Sequence, residues 1–134
     1  MNKFINYYGQ ELHDGDYMYN FGGYGIVQID KIVSPDKAQG NKEGTFRIWF
    51  WCGRIDEFDN GTYEKHIRGV KGNDNSHLYK VQPNDEIDRM FSLWPTGEEH
   101  KNYKEFNELQ EKYQKIYDEK LVNAVNGIKR RQNK

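Results

Sequence analysis

The sequence predicts an α+β protein in which a small twisted antiparallel sheet or barrel of about five strands precedes two helices. Two observations lead to this prediction. Apolar and aromatic residues follow strand-like patterns up to Val81, but from Pro83 onward they recur at helical spacing. The strands therefore come first and the helices last, an order typical of α+β domains or of a small barrel with a helical appendage.

We expect one domain of 134 residues. Its β-rich part, residues 1–95, ends in a short helix, and residues 96–134 supply a long C-terminal helix and a basic tail. The predicted strands are separated by glycine-rich turns or loops. They cover Tyr17–Phe21, Tyr24–Val33, the two arms of a hairpin within Thr45–Val70, and His77–Val81, while residues 4–8 form an edge strand or pack over the end of the sheet.

The composition argues against several classes of protein. A net charge of −1 is neither the basic excess of a DNA-backbone binder nor the acidic excess of a DNA mimic. A single cysteine, Cys52, cannot form an internal disulfide and fits a cytoplasmic setting. Because no apolar run is long enough for a signal peptide or a membrane span, we expect neither.

The stretch Thr45–Val70 carries the strongest local signal. Two strand-like runs flank Asn60-Gly61, a pair that favours a two-residue hairpin turn because both positions need positive φ. Such a turn would place Glu57 opposite Glu64 and Trp51 opposite Val70. Alternation then predicts a core face and a second face. The core face carries Phe46, Ile48, Phe50, Cys52, Phe58, Tyr63 and Ile67, and the second carries Arg47, Trp49, Trp51, Ile55, Glu57, Glu64, His66 and Arg68.

The helical part begins after Pro83. Ile87, Met90, Phe91 and Trp94 share one helix face, with Asn84 or Asp85 as the N-cap. Pro95 ends this helix, and Thr96 and Glu99 form a capping box for the next. A helix of about 30 residues would be roughly 45 Å long and would overhang a small domain. We therefore expect a homo-oligomer formed through its apolar stripe. That stripe comprises Tyr103, Phe106, Leu109, Tyr113, Ile116, Tyr117, Leu121, Ala124, Val125 and Ile128.

The second face of the hairpin is the candidate ligand site. Trp49 and Trp51 offer flat surfaces on which a base can stack, while Arg47, His66 and Arg68 can donate to a phosphate or carboxylate. The competing interpretation is that both tryptophans pack beneath the long helix. Glu57, Glu64 and His66 could also hold a metal or act as acid and base, or simply point into water near the hairpin tip. We predict no catalytic residue, no metal and no cofactor.

Gly9-Gln10-Glu11-Leu12, Gly15-Asp16 and Gly25-Ile26-Val27-Gln28-Ile29 resemble the opening of small SH3-like barrels. They are similar in particular to short orphan proteins of phages and prophages from low-GC bacteria. The resemblance implies an SH3-like barrel, an anti-defence role and a place in the cytoplasm of the host cell.

Three functions follow from these observations. The first is a non-catalytic phage-encoded binding protein that sequesters a small nucleotide ligand or blocks a host defence protein. The second is a small barrel that binds nucleic acid through Arg47, Trp49, Trp51, Arg68 and the basic tail. The third is a metal-dependent hydrolase that uses Glu57, Glu64 and His66.

Overall fold

The computed structural model describes residues 3–35, 45–72, 77–92 and 103–122. The predictions for Trp94, the capping box, the end of the apolar stripe from Ala124 to Ile128 and the basic tail lie outside these residues. Within them the elements are β1 Phe4–Ile5, β2 Glu11–Leu12, β3 Tyr17–Asn20, β4 Gly25–Val33, β5 Arg47–Glu57, β6 Tyr63–Lys71, β7 Leu78–Val81, α1 Asp85–Ser92 and α2 Tyr103–Lys120.

The predicted α+β class is confirmed. Five strands form an antiparallel sheet in the order β6-β5-β4-β3-β7, and β1 and β2 form a separate hairpin. The five-stranded sheet is not closed, because β6 and β7 lie at its two edges. The architecture is therefore an open sheet with two helices. No helix in the described ranges is long and apolar enough to cross a membrane.

Both faces of the sheet are covered. On one, which we call the helix face, Tyr17, Ile26 and Trp51 pack with residues of α1 and α2 such as Phe91 and Phe106. On the other, the hairpin face, Met18, Phe50 and Leu78 pack with Phe4 and Leu12 of the β1–β2 hairpin. Strict alternation along β3 and β5 divides the two cores. Phe4 and Ile5 thus form a strand of a separate hairpin, and this hairpin packs over one face of the sheet instead of an edge or a barrel end.

Helix α1 begins as predicted, because the Asn84 Oδ1 atom accepts a hydrogen bond of 2.8 Å from the Ile87 N–H. Two tyrosine hydroxyls tie the helices into the fold. Tyr17 of β3 donates to Asp88 of α1 at 2.9 Å, and Tyr113 of α2 donates to Glu86 of α1 at 2.6 Å. Burial, reinforced by the Asp88 hydrogen bond, raises the pKa of Tyr17 to about 12. Tyr17 therefore remains a hydrogen-bond donor at neutral pH.

Strand β5 contains a wide irregularity that shapes the helix face. Between the pairs Trp51–Ile67 and Ile55–Lys65, three residues of β5 oppose the single residue His66. The middle one, Gly53, has φ +94°, a conformation that L side chains rarely adopt, and the Phe106 ring of α2 packs where its side chain would be. The bulge therefore lets α2 approach the backbone of the sheet.

Gln110 of α2 completes the sheet where β5 leaves it. Pairing between β4 and β5 ends at Gln28–Trp51, so Ile26 has no partner residue on that side. The Gln110 Oε1 atom accepts from the Ile26 N–H at 2.7 Å, and its Nε2 donates to the Ile26 carbonyl oxygen at 3.0 Å. A buried glutamine side chain thus takes the place of a strand residue.

The apolar stripe of α2 packs largely on its own sheet. Phe106, Tyr113, Tyr117 and Leu121 are buried in the helix-face core, whereas Ile116 is 44% exposed. In the described part of α2, the apolar surface that suggested an overhanging interface is therefore mostly used within the chain.

We predict that Gln110→Met lowers the free energy of unfolding by about 2–6 kcal/mol, because it leaves the buried N–H and C=O of Ile26 without partners at about 1–3 kcal/mol each. Urea unfolding followed by circular dichroism measures the change. The exposed neighbour Glu111→Ala is the control and should change stability by less than about 0.5 kcal/mol. Equal effects of the two substitutions would contradict the role of Gln110.

Candidate functional site

The hairpin loop between β5 and β6 is one residue longer than predicted. The Phe58 N–H donates to the Thr62 carbonyl oxygen at 2.9 Å, and the Gly61 N–H donates to the Phe58 carbonyl oxygen at 2.9 Å. Gly61 has φ +82°. This is the pattern of a three-residue loop that ends in a left-handed glycine. The predicted two-residue turn is wrong, and Glu57 pairs with Tyr63 instead of Glu64.

The one extra residue in the β5–β6 loop changes which side chains of β5 and β6 lie on the same face of the sheet. Directly opposed residues of an antiparallel pair point to the same side of the sheet, so a shift of one residue moves all of β6 to the other side. Ile67 pairs with Trp51 and lies on the helix face, where the sequence placed it with Ile48 and Phe50. Arg68 pairs with Phe50 and lies on the hairpin face.

The five predicted ligand residues are consequently divided. Arg47, Trp49 and Trp51 alternate along β5 on the helix face. His66 and Arg68 lie on the hairpin face, where the His66 Nδ1 atom is 2.7 Å from the Asp56 Oδ2 atom. The predicted arrangement of all five on one face is wrong, because it assumed the shorter loop.

Trp51 belongs to the core. Its side chain is 1% exposed, its ring packs edge-on against Phe91 at a centroid distance of 5.6 Å, and its Nε1–H donates to the Arg54 carbonyl oxygen at 2.8 Å. The Lys65 Nζ atom lies 4.5 Å from the centre of its ring. For Trp51 the interpretation as a residue packed beneath the helices is therefore confirmed.

Trp49 is different, because 39% of its surface is exposed. Its six-membered ring lies against Gly69 of β6, so close that a Cβ atom on Gly69 would be 2.7 Å from the Cζ3 atom. The Arg47 guanidinium carbon lies 5.8 Å from the ring centre. A flat indole is thus supported by the sheet backbone on one side and accompanied by a cation.

Two more basic residues lie on the strands that flank β5 in this region. Lys31 of β4 pairs with Trp49, and Lys71 of β6 pairs with Arg47. None of the residues that pair directly with Arg47 or Trp49 is acidic. We call the group Lys31, Val33, Arg47, Trp49, Gly69 and Lys71 the Trp49 surface. The sequence did not identify Lys31 or Lys71, because their positions depend on the β4–β5–β6 register.

The predicted Glu57–Glu64–His66 group does not form as expected. Asp56, rather than Glu57, pairs with Glu64, and Asp56 is also the partner of His66. The buried His66 Nε2 atom has no hydrogen-bond partner among the residues that the structure describes. Among the described residues, no three histidine, cysteine, aspartate or glutamate side chains are grouped in a way that could hold a metal ion.

We predict that Gly69→Ala moves the Trp49 ring, because the new methyl group would lie 2.7 Å from the Cζ3 atom. The measurement is the position of the indole N–H signals in a two-dimensional NMR spectrum. The Trp49 signal should shift, whereas the Trp51 signal, held by its hydrogen bond to Arg54, should stay in place. An unmoved Trp49 signal would show that its ring does not lie on Gly69.

The chain was also compared with known proteins. No protein-family model, curated protein or solved structure matches it. The chemistry of the described residues is therefore the basis on which a function is proposed.

Proposed function

We propose that the protein is a non-catalytic binding protein that holds a nucleotide-type ligand on the Trp49 surface. The observation that carries this proposal is the exposed indole of Trp49, which lies on Gly69 and has the Arg47 guanidinium over its ring. Exposed tryptophan with neighbouring cations suits a ligand that combines a flat ring with negative charge.

The spacing of the surface fits such a ligand. A base would stack on the indole, an interaction that contributes about 1–3 kcal/mol per base. Arg47 is two residues along the same strand, and its guanidinium carbon lies over the Trp49 ring, 5.8 Å from the ring centre. A base that stacks there would displace the guanidinium to the edge of the ring, where it can contact the oxygens of a phosphate attached to that base. Lys31 and Lys71, on either side, add positive charge without a specific geometry.

The resemblance to orphan phage proteins supplies the biological setting of the proposal. A phage protein of this kind would act in the host cytoplasm by sequestering a nucleotide signal that a defence system uses. Direct blocking of a host defence protein is the alternative within the same class, and it does not require a small ligand.

Binding of a nucleic acid is a second candidate, favoured by the same indole and its cations. A chain of phosphates needs a longer basic track than three cations on adjacent strands provide, and the net charge is −1. A single nucleotide unit is therefore the better match. A gel shift with single-stranded oligonucleotides at two salt concentrations tests this candidate, which requires a complex that weakens as salt rises.

For the nucleotide proposal, we predict that a nucleoside phosphate or cyclic dinucleotide quenches tryptophan fluorescence and binds the wild-type protein in calorimetry. Trp49→Ala should weaken that binding by about 5- to 150-fold, the equivalent of one lost stacking interaction. Arg47→Ala should weaken binding of the phosphorylated ligand but not of the corresponding nucleoside, because it removes only the phosphate contact.

Two control variants accompany this experiment. Lys115→Ala removes an exposed cation of α2, remote in sequence from the hairpin, and should leave binding unchanged. Arg68→Lys keeps the charge on the hairpin face and should also leave it unchanged, since Arg68 does not share a face with Trp49. If no member of the nucleotide panel binds the wild-type protein, the proposal fails and a protein target becomes the stronger candidate.

A further inference from the structure

The two edge strands of the five-stranded sheet, β6 and β7, differ in whether other parts of the chain bond to their outward backbone groups. At the β7 edge, side chains of the β1–β2 hairpin satisfy the outward backbone groups. The Asn6 Nδ2 atom donates to the Leu78 carbonyl oxygen at 3.1 Å, and the Lys80 N–H donates to the Gln10 Oε1 atom at 2.9 Å. This edge is therefore closed to another strand.

The β6 edge is open along its middle. The Thr62 carbonyl oxygen accepts from the Phe58 N–H, and the Gly72 N–H donates to the Phe46 carbonyl oxygen, each at 2.9 Å, so both residues direct backbone groups toward β5. In a regular strand every second residue does the same, so the backbone groups of Lys65, Ile67 and Gly69 point away from β5. No strand of the described ranges pairs with that side. These three alternate residues thus offer three N–H and three C=O groups for hydrogen bonds to a partner strand.

We propose that two copies of the chain pair antiparallel through β6 and join their sheets into one. The pairing centred on His66 places Glu64 of each copy opposite Arg68 of the other, so two pairs of opposite charges form. Both side chains are exposed in the single chain and available for this contact.

The charges on the β6 side chains favour this register over pairings centred on nearby residues of β6. Centring the pair on Lys65 would oppose two lysines, and centring it on Arg68 would oppose two arginines, both unfavourable arrangements. Centring it on Ile67 avoids like charges but places Glu64 opposite Val70, so no opposite charges pair. In the His66-centred register the central pair is His66 with His66. Of these four registers it is the one in which Glu64 meets Arg68 and no two lysines, arginines or carboxylates face each other.

This register has a consequence for the helix face. Tyr63 of one copy lies opposite Gly69 of the other, at the position against which the Trp49 ring rests. The Trp49 ring already occupies the space above Gly69, so the tyrosine ring would lie beside the indole rather than on the glycine. Each copy would therefore add an aromatic wall to the Trp49 surface of its partner. The pairing itself does not depend on a ligand and is independent of the proposed function.

The competing interface is the C-terminal helix, from which the sequence predicted a homo-oligomer. Within the described residues 103–122, Phe106, Tyr113, Tyr117 and Leu121 are buried in the helix-face core, whereas Ile116 and Val122 are exposed. The β6 edge offers aligned backbone groups together with complementary charge, so we assign the interface to β6.

Sedimentation velocity over a range of concentrations tests the proposal. The wild-type chain should form dimers. Glu64→Arg and Arg68→Glu should each raise the dimer dissociation constant by about tenfold or more, because each turns two attractive pairs into repulsive ones. The double variant Glu64→Arg/Arg68→Glu should restore dimers, since the charges are opposite again. Circular dichroism checks that each variant is folded.

Two variants of α2 provide the comparison. Lys115→Glu reverses an exposed charge on the helix and should leave the dissociation constant unchanged. If Ile116→Glu abolishes dimers while the β6 variants do not, the interface lies on α2 and the β6 proposal is overturned. A wild-type chain that remains monomeric at every concentration, or a double variant that fails to recover, would overturn it as well.

Discussion

The bulge at Cys52–Arg54 in β5 is the constraint on which the rest of the structure depends. Because Gly53 adopts φ +94° and carries no side chain, the Phe106 ring of α2 can rest directly on the strand. The same departure of β5 leaves Ile26 without a partner residue on that side, and Gln110 supplies the missing hydrogen bonds. A local break in one ladder thus positions the long helix and fixes which part of the helix face it covers.

Because the helices cover only part of the helix face, the two tryptophans of β5 differ in their exposure to solvent. Trp51, next to the bulge, is buried in the helix-face core and packs edge-on against Phe91 of α1. Trp49, two residues earlier on the same face, is left at 39% exposure beside Arg47. A tryptophan that lies on a glycine of the neighbouring strand and also faces solvent is poorly explained by core packing alone. This contrast, rather than the presence of two tryptophans, is what favours a ligand surface.

Much of the fold could be predicted from local patterns. Alternation along β5 correctly separated Ile48 and Phe50 from Arg47 and Trp49, and Asn84 was one of the two residues proposed as the helix cap. The β6 half of the candidate site could not be predicted in the same way. Asn60-Gly61 suits both a two-residue loop and the end of a three-residue loop, and the choice between them moves every β6 side chain to the other face. His66 and Arg68 were misplaced for this reason alone.

By itself, the sequence determined the order of strands and helices, the position of the hairpin and the alternation within each strand, because these depend on residues close together in the chain. The tertiary structure alone decided the register between strands, the neighbours Lys31 and Lys71 of the Trp49 surface, and the burial of Gln110. Those features depend on contacts between distant segments, where one residue more or less in a loop or a bulge changes which side chains meet.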